Sequence, residues 1–215
     1  MEIYIVRHGQ TVWNACKRLQ GRTDIELNEK GRELAGETGR NLEDTHFDII
    51  YSSPLIRAYE TACLIRGHRN IPIIRDDRLM ELCFGIYEGR DFSKLLEDEN
   101  DPFHYFFESP EKYVAPEEGE TFKHLCERAK DFMQEVIEPL ATADSIAGKP
   151  ALERVMIVAH GAMNKAIMCY VKQHGVDQFW SGGLQKNCNV IVVNLDKKDY
   201  TVIDETRLFY KERGK

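Results

Sequence analysis

Short runs rich in β-branched and aromatic residues alternate with helix-period segments along this chain, and that alternation limits the fold more than any other feature. Glu2-Ile3-Tyr4-Ile5-Val6, bounded by Gly9, reads as a strand, and so does Phe47-Asp48-Ile49-Ile50-Tyr51. Ile71-Pro72-Ile73-Ile74 reads as a third short strand, its proline pointing to a sheet edge or a strand start. Arg154 to Ala159 forms another apolar run, and Val190–Leu195 with Tyr200–Thr206 reads as a terminal hairpin around Asp196-Lys197-Lys198-Asp199. Helical signals fill the gaps. Asn28 is placed to cap a helix running to about Leu42, with Leu34, Ala35, Thr38 and Leu42 on one face. Ser53-Pro54 reads as a helix start, serine as N-cap and proline at the first position, with Arg57 in the first turns. Phe122, Leu125, Ala129, Phe132, Met133, Val136 and Leu140 recur at helical spacing, Ala141 to Pro150 reads as a loop, and a further helix starts near Gly161. The order predicts an α/β fold: a three-layer α/β/α sandwich around a mostly parallel central sheet.

From about Asp91 to Gly119 the character changes. Phe92, Phe103, Tyr105, Phe106, Phe107 and Tyr113 stand among Glu, Asp and Pro. A flexible linker rarely holds so many rings, so residues 91–119 read as an insertion folded over the active site of an otherwise single domain spanning 1–215. Whether its aromatics line a pocket or only pack the insertion stays open at this point.

Bulk properties exclude several classes. With 42% hydrophobic and 30% charged residues in 215, the chain has ordinary globular composition. A net charge of −7 argues against nonspecific binding to nucleic acid or an anionic membrane surface. A few local arginines can still hold an anionic substrate. Cys16, Cys63, Cys83, Cys126, Cys169 and Cys188 are scattered, with no C-x-x-C pair and no metal-ligand spacing, which predicts free thiols, a reducing compartment and no metal. A strand beginning at Glu2 leaves no room for a signal peptide, and no apolar run approaches a span of roughly 18 residues, so the expected location is cytoplasmic. The sequence leaves monomer or homodimer open.

Ligands of open parallel sheets bind beyond the carboxyl ends of the strands. Arg7-His8 follows the first strand, Arg57 the second, and His160-Gly161 the strand ending Ile157-Val158-Ala159; Glu81 lies in Leu79-Met80-Glu81-Leu82. Taken singly, each has a plain structural use. Together they suit phosphoryl transfer. A neutral imidazole can attack phosphorus, guanidinium forks can hold its oxygens, and a carboxyl group can protonate the leaving alcohol.

The segment Ile5-Val6-Arg7-His8-Gly9-Gln10-Thr11-Val12-Trp13-Asn14 resembles the signature of the histidine phosphatase superfamily, the phosphoglycerate-mutase-like fold. The similarity continues through Arg18-Leu19-Gln20-Gly21-Arg22-Thr23-Asp24-Ile25-Glu26-Leu27 and Gly31. It returns in Ser52-Ser53-Pro54-Leu55-Ile56-Arg57-Ala58 with Thr61-Ala62, in Glu81-Leu82-Cys83-Phe84-Gly85-Ile86-Tyr87-Glu88-Gly89, in Gly119-Glu120-Thr121 and in Val158-Ala159-His160-Gly161. The resemblance implies that His8 is the phosphohistidine, that Arg7, Arg57 and His160 form the cationic phosphate pocket, and that Glu81 gives a proton to the leaving group and later helps to activate water. It further implies that Asn14, Gln20, Gly21 and Gly161 border the phosphate, and that no metal or organic cofactor is needed.

The superfamily divides into hydrolases and phosphoglycerate mutases. The resemblance implies that a mutase would add a tyrosine three residues after the acid, a lysine further on and paired arginines in the insertion. Here Phe84 and Phe92 stand at the first two positions, and the insertion holds no arginine and only Lys94 and Lys112 as fixed cations. Hydrolysis of a small phosphate monoester, of the sugar phosphate or α-ribazole phosphate type, is therefore expected over mutase activity. A non-catalytic binding protein on the same fold is disfavoured because all four catalytic positions are present. The rate of phosphoenzyme formation is expected to be bell-shaped in pH, since His8 must be neutral and Glu81 protonated.

Overall fold

In the computed structural model, residues 1–142 and 152–211 are described. One six-stranded sheet runs through the molecule in the order β3-β2-β4-β1-β5-β6, where β1 is Glu2–Arg7, β2 Ile49–Ser52, β3 Ile73–Arg75, β4 Arg154–Ala159, β5 Val190–Asp196 and β6 Asp199–Arg207. The β3-β2, β2-β4 and β4-β1 pairs are parallel, and the β1-β5 and β5-β6 pairs antiparallel. Only β5, the first strand of the predicted hairpin, runs against the other strands. The strand after Pro72 is at the sheet edge, where a missing N–H costs no ladder bond.

The helices in chain order are α1 (Val12–Ala15), α2 (Glu29–Asn41), α3 (Ile56–Arg66), α4 (Phe92–Glu97), α5 (Tyr105–Glu108), α6 (Phe122–Phe132), α7 (Glu138–Thr142) and α8 (Gly161–Lys172). Strand periodicity sorts the apolar side chains onto two faces. Ile3, Ile5, Val155, Ile157, Ile191 and Val193 pack with Leu125, Ala129 and Phe132 of α6 and Met163, Ala166 and Ile167 of α8. Tyr4, Val6, Met156, Val158 and Val192 pack on the opposite side with Leu42 beyond α2 and Ala58, Ala62 and Ile65 of α3. This is the three-layer sandwich.

Local signals hold where the chain has no competing partner. Asn28 caps α2, its side chain accepting from Gly31 N at 2.8 Å. Two expectations change. Ser53 does not cap α3; the helix starts at Ile56 with Leu55 at the N-cap, because Ser53 is still bonded to the sheet through its N–H and its hydroxyl meets His160 Nε2 at 2.7 Å. The long helix after Thr121 is not uniform either. Between α6 and α7 it widens into a π-turn over Met133–Ile137, just before Pro139, whose ring and missing N–H disrupt regular α-helical bonding. Of the predicted loop at 141–150, Ala141 and Thr142 close α7 and the remainder lies outside the described residues.

Candidate active site

Sheet register brings the chemistry together. Arg7 on β1 is the register partner of Ala159 on β4, so His8 and His160 leave the sheet side by side. The His8 N–H donates to the Ala159 carbonyl at 3.0 Å, and the two imidazole centroids are 5.2 Å apart at 57°. Ser52 on β2 pairs with Val158, and the chain then turns into α3, which carries the fully buried Arg57. Arg7, His8, Asn14, Gln20, Gly21, Arg57, Glu81 and Gly161 line one cleft whose open volume, solvent mouth included, is about 620 Å³. His160 is fully buried, its ring beside that of His8. Every side chain nominated from the sequence is thus in or against this cleft.

The tautomer and charge of His8 follow from its surroundings. Its Nδ1 lies 2.7 Å from the Gly9 carbonyl, which can only accept, so Nδ1 carries the hydrogen and Nε2 the lone pair. Burial, then the charges of Arg57 and Arg7, hold His8 well below the usual imidazole range and keep it neutral. Burial, with Arg57 next, does the same to His160. Burial lowers Arg57 to about 10, which leaves it charged at neutral pH.

Both arginines are anchored by the chain while part of each guanidinium stays uncommitted. Arg57 donates to the carbonyls of Thr23 at 3.0 Å and Gly21 at 2.7 Å, and Arg7 Nη1 donates to the carbonyl of Gln185. Arg7 Nε, Arg57 Nε and His160 Nδ1 are buried with no partner among the described residues. Buried polar nitrogens are normally paired, so three such atoms on residues in or against one cleft suit an oxyanion. Glu81 is held from across the cleft. Its Oε2 accepts from Ala162 N at 3.1 Å and its Oε1 from Met163 N at 3.0 Å, both at the start of α8. A methyl group on Gly161 would stand 3.7 Å from both Arg7 Nε and Glu81 Oε2, so these groups flank the same glycine. Among the described residues no three His, Cys, Asp or Glu side chains converge as a metal site, and no helix is long and apolar enough to cross a membrane.

The histidine phosphatase superfamily (branch 1) matches residues 3–205. This chain belongs to that superfamily. The histidine phosphatase is 29% identical over 203 residues to "Phosphoserine phosphatase 1" of Hydrogenobacter thermophilus, covering 94% of this chain and 90% of that one. It is 32% identical to the "Metal-independent phosphoserine phosphatase" of Arabidopsis thaliana, covering 94% and 79%. Among solved structures, Bacillus stearothermophilus YhfR superposes with a TM-score of 0.82 at 34% identity, covering 95% and 96%. Other relatives are named as probable phosphoglycerate mutases. The chain is a phosphoric monoester hydrolase for small phosphorylated metabolites.

Several parts of this histidine phosphatase site escape a reading of the sequence. Asn187 Nδ2 donates to the His8 carbonyl at 3.0 Å, and Gln185 supplies the carbonyl that holds Arg7; both lie in a polar loop nearly 180 positions from their partners. Asn14 and Gln20 share Thr11: the Thr11 N–H donates to Asn14 Oδ1 at 3.1 Å and its hydroxyl to Gln20 Oε1 at 2.9 Å. Arg18, exposed at the cleft and donating to the Gly89 carbonyl at 3.1 Å, is a cation outside the phosphate cluster. Arg128 was detectable in principle, as an arginine on the apolar stripe of α6 between Leu125 and Ala129.

The two readings of the aromatic segment separate by residue. Phe103 and Phe106 stack at 4.7 Å and 6°, and Phe106 also meets Tyr113, Phe122 and Trp180, which is core packing. Half-buried Phe92 and Phe107 line the cleft with Phe84 and Trp180. Phe106 does both, lining the cleft while it packs in the core.

Proposed function

We propose that the chain hydrolyses its ester through a phosphohistidine on His8. The observation that carries this reading is that His8, with its Nε2 lone pair free, shares one cleft with Arg7 and Arg57 and lies against the His160 ring, while Arg7 Nε, Arg57 Nε and His160 Nδ1 are buried with no partner among the described residues. Nε2 attacks phosphorus, the P–O ester bond breaks, and Glu81 protonates the departing oxygen. Water then attacks phosphorus, the P–N bond breaks, Glu81 takes the proton and inorganic phosphate leaves. Guanidinium groups of Arg7 and Arg57, with His160, hold the equatorial oxygens, whose charge rises in the transition state. Asn14, Gln20 and Gly21 shape the phosphate end of the cleft, and Gly161 keeps space between Arg7 and Glu81. Segment 91–119 acts as a lid that shields the phosphoenzyme.

The leaving alcohol rests against Phe84, Phe92, Phe107 and Trp180, a wall that favours a ring-bearing alcohol of the sugar phosphate or α-ribazole phosphate type. Arg18 favours a second reading, an ester with a carboxylate such as phosphoserine. A panel of sugar phosphates, α-ribazole phosphate, phosphoserine and 3-phosphoglycerate at about pH 5 to 8, run beside a coupled mutase assay, tests both. Ring-bearing esters should give the highest kcat/KM. A preference for phosphoserine that is lost in Arg18→Gln would favour the second reading, and dominant mutase turnover would overturn both.

A further inference from the structure

Arg128 is remote in sequence from the catalytic groups assigned above, yet its guanidinium is spent on the segment that carries Glu81 and on the buried Glu120. Nη1 donates to the carbonyls of Arg78 at 2.6 Å and Met80 at 2.7 Å, and Nη2 to that of Glu81 at 3.0 Å. The remaining donors go to Glu120, Nε to Oε1 at 2.7 Å and Nη2 to Oε2 at 2.8 Å. These bonds engage the full donor set of a guanidinium, so Arg128 has none left for a substrate oxygen.

Glu120 completes the clamp. Its Oε2 accepts from Cys83 N at 3.3 Å, so the pair grips the chain on both sides of Leu82, while Arg22 and His124 also meet its carboxylate. Burial alone would push Glu120 up, but the hydrogen bonds and charge of Arg128 hold it below its usual range, and the pair is ionised. A buried ion pair contributes little net stability over an apolar replacement, which makes a purely stabilising role a poor account of this one. The carboxyl of Glu81 is held from the other side by Ala162 and Met163 of α8. Glu81 is therefore suspended between α6 and α8, main chain on one and carboxyl on the other.

We propose that Arg128, locked by Glu120, is a positioning residue that sets the reach of Glu81 to the leaving oxygen. This rests on the assignment of Glu81 as the proton donor, and the two can fail separately. An acid that must deliver a proton matters for a poor leaving group and hardly at all for a good one. A misplacement on the order of 1 Å costs about 10²-fold in rate. Arg128→Lys keeps the charge but loses the fork that spans three carbonyls and a carboxylate.

The experiment compares an alkyl phosphate with p-nitrophenyl phosphate for wild type, Glu81→Gln, Arg128→Lys and Glu120→Gln, with melting curves for each. Both clamp variants should lose about 10²-fold in kcat/KM on the alkyl ester, while kcat/KM on p-nitrophenyl phosphate, which reports phosphoenzyme formation and not its hydrolysis, changes far less, and Glu81→Gln should show the same selectivity in kcat/KM. If Arg128→Lys does not fold, Glu120→Gln carries the comparison, since an amide keeps its shape and one acceptor. Equal losses on both esters in the clamp variants, beside a selective loss in Glu81→Gln, would overturn the proposal and leave the acid in place. A Glu81→Gln variant without selectivity would overturn the acid assignment and the proposal with it.

Discussion

The guanidinium of Arg57 donates to the main-chain carbonyl of Gly21 across 2.7 Å, so this buried arginine, which we assign to the phosphate, is aimed by a loop 36 positions earlier in the chain. Gly21 presents that carbonyl from a left-handed conformation, φ +52°, and a Cβ there would lie 1.9 Å from Glu88 Oε1. Glu88 cannot yield easily, because it accepts from the main-chain N–H groups of Arg22, Thr23 and Phe84. Gly21→Ala should therefore destabilise by at least about 1–2 kcal/mol and lower kcat/KM as Arg57 is displaced. Thermal melts and steady-state kinetics check this; wild-type values in both would contradict the aiming role.

The neutral histidines carry a stability cost at acid pH. Both His8 and His160 have folded values well below 6.5, with burial and Arg57 as the leading causes. Below about 6.5 the unfolded chain takes up protons that the native protein refuses, so stability falls as pH drops, with a limiting slope of about 1.4 kcal/mol per pH unit for each histidine. Chemical denaturation between about pH 7 and 5 should show this loss, and His8→Gln should flatten it. An unchanged slope in His8→Gln would mean that His8 titrates normally in the native state.

The aromatic segment supplies a paired test. Phe103 is fully buried and stacked on Phe106, so Phe103→Ala should cost about 3–5 kcal/mol. Half-buried Phe107 faces the cleft, and Phe107→Ala should leave the melting temperature nearly unchanged while shifting the kcat/KM ratio between ring-bearing and small alkyl esters. Equal stability losses would assign both rings to the core.

Gly161 separates catalysis from stability. Alanine at the first residue of α8 raises helix propensity by up to about 1 kcal/mol, but its methyl would stand 2.8 Å from Leu184 Cδ1, between Arg7 and Glu81. Gly161→Ala should keep its fold and lose turnover, measured on a single aryl phosphate. Full activity would show that the space is not needed.

What the sequence discloses here follows the range of the forces involved. Strand runs such as Arg154–Ala159 and the Asn28 cap were legible because they depend on neighbours within a turn or a pleat. The positions of His8, Arg57, Glu81 and His160 beyond strand ends were legible from topology together with family resemblance. Ser53 carries a cap signal but does not cap α3, because a histidine 107 positions away takes its hydroxyl. Gln185 and Asn187 have no local signal, since each acts through a main-chain carbonyl bond to a residue nearly 180 positions away, whereas Arg128 is marked only by its place on the apolar stripe of α6, which does not say that it reaches the Glu81 carbonyl.

The central claim is that the phosphoryl group passes through His8. Rapid quenching of the enzyme with substrate into alkali, followed by peptide mass spectrometry, tests it most directly. The account predicts an alkali-stable, acid-labile phosphoryl group on the peptide carrying His8, absent from His8→Ala along with turnover. A His8→Ala enzyme that still hydrolyses the ester, or a phosphoryl group found on another residue, would contradict it.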